Sequence, residues 1–189
     1  MRNPQWTSFS KITMGEVTFL LGWLDRQSGG KVSLNTSDIS CPIRGEKLRA
    51  MAQVLTTLGF IFDRTDYLKV RHDGSLFFRS DFGTKMAMLR EKIRGLQPAG
   101  NILKQLEGSA SGRMRLNQVK AHFLQSLGEY QTSDLQGFMN WARMCELFYY
   151  DPLYDEIFQI RKHLPRPKSG FANGVLITTR FPSVPTEPQ

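Results

Sequence analysis

The sequence predicts an α+β fold, because runs of helical period give way to runs of strand period at two separate places along the chain. Apolar side chains recur at helical spacing from residue 44 to 58 and then alternate, and the same change occurs between about residues 132 and 158. A helix repeats every 3.6 residues and a strand every 2, so each change marks a boundary between the two kinds of element. With 40% hydrophobic residues among 189, the chain can bury a core, and we expect it to fold without a cofactor.

Two long helices are predicted in the first part of the chain. The first follows Ser10 and ends at Gly29-Gly30, a pair at which a helix readily terminates. A short extended segment, KVSL (31–34), comes next, and residues 35–44 are compatible with a turn or a very short helix. The second long helix starts at Arg44 and ends at Gly59, where we expect a left-handed C-cap.

Residues rich in strand formers follow this helix. They predict three strands between residues 60 and 79, in FIFDR, YLKVR and SLFFR, joined by tight turns at Thr65-Asp66 and His72-Asp73-Gly74. Ser80 or Asp81 is then expected to cap a connecting helix. That helix should turn four apolar side chains toward the core: Phe82, Met86, Leu89 and Ile93.

The same order recurs in the second half. We predict a helix from Ala99 to Leu106, a short strand RMRL (113–116), a helix capped by Asn117 and another capped by Thr132 or Ser133. A second hairpin, FYY and EIFQI, closes around the turn at residues 151–154. Helix, strand, helix, helix and hairpin is the order of a winged helix, in which the long helix before the hairpin reads DNA in the DNA-binding members.

The domain organisation follows from this repeat. We predict two winged-helix units, residues 10–97 with a connecting helix and residues 98–160, called here the first and the second unit. A tail, residues 161–189, holds five of the nine prolines and is expected to be flexible or draped, because proline fits neither a regular helix nor a central strand. NGVLITTRF (173–181) is the exception in the tail, since it is β-branched enough to add an edge strand.

Charge is distributed unevenly over these segments. The net charge is +8, with 15 Lys/Arg against 9 Asp/Glu in residues 1–97, 5 against 7 in residues 98–160 and 5 against 1 in the tail. Basic charge on the first unit and the tail permits attraction to nucleic acid or to an acidic partner there. It argues against one basic face that runs the length of the molecule.

Several classes of function are excluded by the pattern of residues. No uninterrupted apolar stretch is long enough to span a membrane and no signal peptide is recognisable, so we expect no membrane insertion and a cytoplasmic location. The segment DRQSGGKVS (25–33) lacks the spacing of a phosphate-binding loop, because Val32 stands where Ser or Thr must ligate magnesium. The three histidines and two cysteines have no metal-ligand spacing. We therefore expect no enzymatic activity, cofactor or metal.

DNA binding is the alternative that the residues leave open. The second long helix carries Arg44, Lys47 and Arg49 off its apolar face, and the first hairpin adds Arg64, Lys69 and Arg71. A basic helix beside a basic wing is an arrangement that contacts phosphates. The matching surface of the second unit is weaker, because its hairpin is acidic.

The segment NWARMCELFYYD (140–151) resembles the terminal signature of the AAA-associated domain, a C-terminal extension of some ATP-binding subunits of nitrate, sulfonate and taurine type ABC transporters. Three upstream segments, which begin at Val54, Asp66 and Leu96, resemble the same family, so the likeness covers about residues 12 to 160. The resemblance implies a tandem winged-helix architecture of regulatory or assembly character, without catalytic residues. A copy without an ATPase domain is expected either to act in trans on a transporter ATPase or to have been recruited to another role.

The resemblance also implies a protein partner, which we expect to be an ABC transporter ATP-binding subunit. In the signature, Trp141, Cys145, Leu147 and Phe148 are expected in the core, while Arg143 and Glu146 hold the helix against a neighbour or a partner. The candidate protein-contact residues are Trp141, Arg143, Glu146, Tyr149 and Tyr150.

Overall fold

The structure is a computed structural model that describes residues 6–33, 41, 43–64 and 66–159. It is a mixed α and β fold, as predicted. The described part has eight α-helices: α1 (Trp6–Ser10), α2 (Met14–Asp25), α3 (Gly45–Thr57), α4 (His72–Arg79), α5 (Phe82–Arg94), α6 (Ala99–Gly108), α7 (Leu116–Leu127) and α8 (Thr132–Met144). It has six short strands: β1 (Lys31–Ser33), β2 (Ile61–Asp63), β3 (Tyr67–Val70), β4 (Arg113–Arg115), β5 (Tyr149–Asp151) and β6 (Glu156–Phe158).

The strands form two small antiparallel sheets with the same topology. The first sheet has the order β1-β3-β2, with Val32 opposite Leu68, and the second has the order β4-β6-β5, with Met114 opposite Ile157. In both sheets the isolated strand pairs with the last strand of the hairpin, so the hairpin folds back beside the strand that precedes the helices. The repeat of element order is therefore also a repeat of strand pairing, and the winged-helix interpretation of each unit stays a prediction.

Several predicted ends of elements are confirmed. Gly59 has a φ of 74°, and the amide of Phe60 donates to the carbonyl of Leu55, which closes α3. Asp81 caps α5 by accepting a hydrogen bond of 3.0 Å from the amide of Thr84. The second hairpin pairs Tyr150 with Ile157 across the predicted turn.

The third predicted strand is wrong, because residues 72–79 form helix α4. Gly74 lies where a Cβ atom would be 2.2 Å from the carbonyl oxygen of Phe60, and Phe77 packs its ring 4.6 Å from that of Phe60. Ser75 and Arg79, one helical turn apart, both reach Asp25. These contacts need residues three and four apart on one face, which a helix supplies and a strand does not. The predicted turn at residues 72–74 is likewise the start of α4.

Other predictions need smaller corrections. The helix expected to run from Ser10 to Gly29-Gly30 is α2 alone, which starts at Met14 and ends at Asp25. Phe82, expected to face the core, is 71% exposed at the start of α5. Helix α7 starts at Leu116 rather than after Asn117, and α8 has Gln131 at its N-cap, where the Gln131 amide donates to Asp134 at 2.9 Å. The predicted turn at 35–44 lies largely, and the tail wholly, outside the described residues.

Helix α1 joins the two units. Its backbone lies so close to α8 that a Cβ atom on Gly137 would be 2.1 Å from the carbonyl oxygen of Trp6. The amide of Thr7 donates to Asp134 at 2.6 Å, and Ser8 donates to Gln53 on α3 at 2.5 Å. Helix α1, which precedes the predicted first unit in the chain, therefore packs against the second unit. Buried apolar residues form one core that runs through both units.

Candidate functional site

The signature segment lies where α8 ends and β5 begins. Cys145 follows the last turn of α8, and the chain then reverses at Glu146, whose φ is 54°. The amide of Glu146 donates to the carbonyl of Arg143, and the amide of Leu147 donates to that of Ala142. This is the same closure that Gly59 makes at the end of α3, here with a glutamate in the left-handed position.

Trp141 is a core residue and not a contact residue. Its side chain is 2% exposed, and its indole Nε1 donates to the carbonyl oxygens of Phe9 at 2.9 Å and Ile12 at 3.2 Å. Its place among the candidate protein-contact residues was wrong, because α1 and the loop after it cover the ring. The expected burial of Trp141, Cys145, Leu147 and Phe148 is confirmed.

Glu146 is exposed and binds the connecting helix. Its Oε2 accepts a short hydrogen bond from Nη2 of Arg90, and Nε of Arg90 donates at 2.7 Å to the carbonyl oxygen of Cys145. One arginine of α5 thus satisfies both a free carbonyl at the end of α8 and the carboxylate next to it. The expected role of Glu146 in holding α8 against a neighbour agrees with this contact.

Two concavities adjoin this chain reversal, and Tyr149 lines both. A cleft of about 730 Å³ lies between α5, α6 and the start of β5. A shallower depression of about 370 Å³ is lined by Asn140, Arg143, Met144 and Tyr149. The cleft is lined by Leu147, Phe148 and Tyr149 together with charged residues: Arg90, Glu91, Arg94, Glu107 and Glu146. Three of the predicted contact residues, Arg143, Glu146 and Tyr149, therefore border adjoining hollows.

Tyr150 belongs to the neighbouring hairpin turn. Its hydroxyl donates to Asp155 at 2.7 Å, and this bond raises the pKa of Tyr150 above its ordinary value. Asp151 accepts a hydrogen bond of 3.0 Å from the amide of Leu153. The turn presents Leu153 and Tyr154, which are 87% and 68% exposed. We call Arg143, Glu146, Tyr149 and Tyr150 the signature surface.

The six candidate DNA-contact residues divide into engaged and open side chains. Lys47 pairs with Glu16 at 2.7 Å and donates to the carbonyl of Lys11, and the guanidinium of Arg71 lies over the ring of Phe62 at 4.7 Å. The other four are exposed: Arg44, Arg49, Arg64 and Lys69. The basic character predicted for the first unit is present, and part of it stabilises the fold.

The first sheet adds residues to this basic surface that the sequence analysis missed. Lys31 lies opposite Lys69, and Phe62 lies on the other side of Lys69, so these three side chains share one face. The ammonium of Lys31 is 3.9 Å from the ring centre of Tyr67. The alternation of residues 67, 69 and 71 was the signal for this face, but the pairing that adds Lys31 is not visible in the sequence.

The second unit differs in charge. Positions 136, 140 and 143 form the exposed side of α8 and carry a single cation, Arg143. In the second sheet Arg113 pairs with Glu156 at 3.3 Å, and Arg115 lies 3.9 Å from the same carboxylate. Cations of this sheet are thus partly neutralised, which agrees with the weaker phosphate-binding character expected of this unit.

Reactive groups are few in the described ranges. No group of three His, Cys, Asp or Glu side chains there is placed to hold a metal ion. Burial raises the pKa of Cys145 to about 12, so its thiol is protonated at neutral pH and is a poor nucleophile. Gly29 and Gly30 lie in a 3-10 turn that leads into β1, whereas a phosphate-binding loop leads into a helix. No helix of the described residues is long and apolar enough to cross a membrane.

The fold and the signature surface define an α+β protein of two helix-and-hairpin units, in which the end of α8 is tied to a connecting helix. Over residues 43–151 the chain matches the family described as the C-terminal AAA-associated domain. The chain belongs to this family, and the resemblance predicted from its signature is confirmed. The family is associated with ATP-binding subunits of ABC transporters. Comparisons with curated proteins and with solved structures gave no match.

Proposed function

We propose that this protein is a non-enzymatic regulatory or assembly protein that binds an ATP-binding subunit of a nitrate, sulfonate or taurine type ABC transporter. The observation that carries the proposal is the position of the family signature. Its apolar residues build the core at the end of α8, while Arg143, Glu146 and Tyr149 border two adjoining hollows. Concave surfaces lined by aromatic and arginine side chains are favoured at protein interfaces.

Binding assays on the signature surface test this proposal. The probe is the purified ATP-binding subunit of such a transporter from the same host, titrated against the full chain by biolayer interferometry. We expect Tyr149→Ala and Arg143→Ala to weaken binding at least roughly tenfold, as truncation of a buried interface anchor does. Phe82→Ala, a change at an exposed ring on α5, serves as the control and should bind like the wild type. Equal binding of all variants, or none by the wild type, would count against the proposal.

The absence of catalysis and of ATP binding belongs to the same proposal. The buried, protonated thiol of Cys145 supports the absence of nucleophilic catalysis. The strand that follows Gly29-Gly30 supports the absence of a phosphate-binding loop. Calorimetric titration with ATP and magnesium should give no saturable heat at micromolar protein. A saturable isotherm would contradict it.

The basic face of the first sheet favours a second candidate function, a winged-helix DNA-binding regulator. Lys31, Arg64 and Lys69 lie on or beside this face, and Arg44 and Arg49 lie at the start of α3. Fluorescence anisotropy with duplex DNA at about 50 and 200 mM salt separates the candidates, since phosphate binding weakens steeply over this range. Sequence-preferring binding that persists at the higher salt and is lost in an Arg44/Lys47/Arg49 triple alanine variant would favour the regulator. The protein-partner contact should instead depend little on salt, because buried contacts are weakly screened.

A further inference from the structure

The basic face of the first sheet is open to solvent in the described part of the chain. Ile61 and Leu68 are buried on the inner side of the sheet, whereas the next residue of each strand, Phe62 and Lys69, is exposed on the other side. The pairing continues past β2, because the amide of Arg64 donates to the carbonyl of Tyr67 at 3.0 Å. Alternation along the strands therefore places six side chains on this face or at its end: Lys31, Phe62, Arg64, Tyr67, Lys69 and Arg71.

Carboxylates of the same segments lie away from this face or are already engaged. Residues 31–33, 61–64 and 66–73 carry three of them, against the four cations of the face. Asp63 lies on the other side of the sheet, and Asp66 lies in the hairpin turn. Asp73 accepts a hydrogen bond of 2.5 Å from Lys92, which lowers the pKa of Asp73, and Arg71 lowers it further. The face itself thus combines four cations with two aromatic rings.

Each ring of the basic face lies beside a cation. The guanidinium of Arg71 is 4.7 Å from the centre of the Phe62 ring, and the ammonium of Lys31 is 3.9 Å from that of Tyr67. Phe62 lies opposite Lys69, two residues from Tyr67, so the Cα atoms of the two aromatic residues are about 8 Å apart. Bases stacked in a duplex are only about 3.4 Å apart, whereas a single strand can splay its bases onto separate rings. A ring with a cation beside it suits one nucleotide, with its base and its phosphate.

The second sheet shows that the fold does not require this charge. Its matching face also carries two aromatic rings, from Tyr149 and Phe158, but it includes Asp151 and Glu156. Glu156 lies 3.3 and 3.9 Å from the two arginines of β4. Aromatic side chains on this face thus recur with the strand topology, whereas an excess of cations is particular to the first sheet.

We propose that the basic face of the first sheet binds single-stranded nucleic acid. Bases stack on Phe62 and Tyr67, and the four cations of the face bind phosphates. This site differs from that of the duplex-binding regulator, because it needs no contact from the cations of α3. It also goes beyond the proposed protein-partner function and does not rest on it, since the signature surface belongs to the second unit.

Fluorescence anisotropy with the full chain tests the proposal. The labelled probes are oligouridylate and oligodeoxyuridylate of about 12 nucleotides, which is within the usual site size, and a duplex of the same length. At about 50 mM salt we expect a single-stranded probe to bind at least roughly fivefold tighter than the duplex, although the duplex carries twice the phosphate charge. The two single-stranded probes differ only in the 2′-hydroxyl, so their affinities show whether RNA or DNA is preferred.

Replacement of one ring separates stacking from attraction by charge. Phe62→Leu keeps an apolar side chain and the net charge but removes the ring, so affinity for the single strand should fall at least roughly fivefold. Phe62→Tyr retains a ring and should bind like the wild type. Phe82→Leu makes the same change at an exposed ring on α5 and is the matched control, which should also bind like the wild type.

Replacement of one cation locates the phosphate contacts. Lys69→Gln should weaken binding and reduce the slope of log affinity against log salt concentration by about 0.7, the value for one phosphate of a single strand. Lys104→Gln removes the same charge from an exposed position on α6 and should leave the slope unchanged. Equal slopes in the two variants would place the binding elsewhere on the protein.

Three further results would overturn the proposal. Wild-type affinity in Phe62→Leu would mean that phosphates are attracted without any stacking of bases. Tighter binding of the duplex would instead favour the duplex-binding regulator. Failure of both single-stranded probes to bind at the lower salt would leave the basic face without this ligand. Because no transporter subunit is present, none of these results bears on the partner-binding assays.

Discussion

At the scale of single residues, Trp141 decides how the signature is understood. Its indole donates to the carbonyl of Phe9 in α1 and to that of Ile12 just after it, and its ring packs edge-on against Phe9 with centres 5.2 Å apart. A tryptophan in a family signature can therefore be explained by packing alone. The exposed residues around it are the ones available to a partner.

Replacement of this tryptophan should lower stability through its hydrogen bonds. Trp141→Phe keeps an aromatic ring but leaves the carbonyl groups of Phe9 and Ile12 without their donor, so the free energy of unfolding should fall by about 1–3 kcal/mol. Urea denaturation followed by circular dichroism measures this change. Trp23→Phe, at a half-buried site on α2, should cost clearly less; an equal cost would argue against the hydrogen bonds as the cause.

Glu146 combines a strained backbone with an ion pair. Its φ of 54° lies in the left-handed region, which costs a non-glycine residue about 1 kcal/mol. The ion pair with Arg90 is largely exposed and is therefore worth little. Strain retained at an exposed carboxylate is typical of a position with a functional or positioning role.

Two substitutions separate these contributions. Both Glu146→Ala and Glu146→Gly remove the carboxylate, but only glycine relieves the backbone, so the glycine variant should be more stable than the alanine variant by about 1 kcal/mol. The counterpart at the end of α3, Gly59→Ala, should lose a similar amount. Thermal unfolding of the three variants provides the comparison, and identical stability of the two Glu146 variants would exclude the strain.

At the scale of elements, Asp25 holds α4 against α2. Its carboxylate accepts hydrogen bonds from Ser75 at 2.9 Å and from Arg79 at 3.0 Å. The bond from Arg79, and after it the one from Ser75, holds the pKa of Asp25 below its ordinary value of 3.8. The same contacts explain why residues 75–79 form a helix.

The contribution of Asp25 should depend on pH. Asp25→Asn should lower the free energy of unfolding at pH 7 by about 1 kcal/mol, because Arg79 is largely exposed and its attraction is screened. Because the pKa of Asp25 is lower in the folded state than its unfolded value of 3.8, its contribution to the free energy of unfolding is fully present above pH 3.8. This contribution is lost as the pH falls through the lower pKa of the folded state. The difference between wild type and variant should therefore shrink below about pH 4. A difference that stays constant from pH 7 to pH 3, or an equal cost from Asp66→Asn, would contradict this role.

The contact between α1 and α8 depends on one residue without a side chain. A methyl group at Gly137 would overlap the backbone of Trp6, so Gly137→Ala should separate the helices and lower the free energy of unfolding by about 3 kcal/mol or more. Gly15→Ala is the control, because a Cβ atom there meets only Thr13 Oγ1 at 3.9 Å. It should be neutral or slightly stabilising, as alanine favours a helix. Similar costs at both glycines, measured by chemical denaturation, would refute the close contact.

The same elements show what the sequence can predict. The end of α3 at Gly59, the cap at Asp81 and the second hairpin follow from local chemistry, and the prediction was right for each. Helix α4 did not follow, because SLFFR satisfies an alternating pattern, and only contacts with Asp25 and Phe60 select the helix. Helix α1 has five residues and depends on α8 for its stability, so no local pattern marks it.

The candidate site was predictable to a similar degree. The signature located the end of α8, but the cleft beside Tyr149 also needs Arg90 and Arg94 from α5 and Glu107 from α6. These residues are distant in sequence and meet only in the folded chain. Their one local signal was the spacing of Arg90 and Arg94, four residues apart on one face of α5.

At the scale of the whole molecule, the two units share one core. Trp6 packs its ring 5.5 Å from that of Phe138, while Ser8 on the same helix is bonded to Gln53 on α3. A short helix thus contacts both long helices that precede the hairpins. Charge remains segregated despite this shared core, with the basic face on the first sheet and the acidic turn on the second.

A shared core should make unfolding a single event. Probes in the two units, such as the amides of Leu55 and Phe138, should report the same free energy of opening in native-state hydrogen exchange, because neither unit can open without exposing residues of the other.

Trp6→Ala removes the ring that lies between α1 and α8, and large-to-small changes of this kind cost about 3–5 kcal/mol in a core. In this variant the two probes should diverge, with Phe138 opening at the lower free energy, because α1 contacts α8 more extensively than α3. Phe19→Ala, at a partly exposed ring on α2, should leave the two values equal. If the wild type already showed two distinct opening energies, α1 would not couple the units, and each would fold on its own.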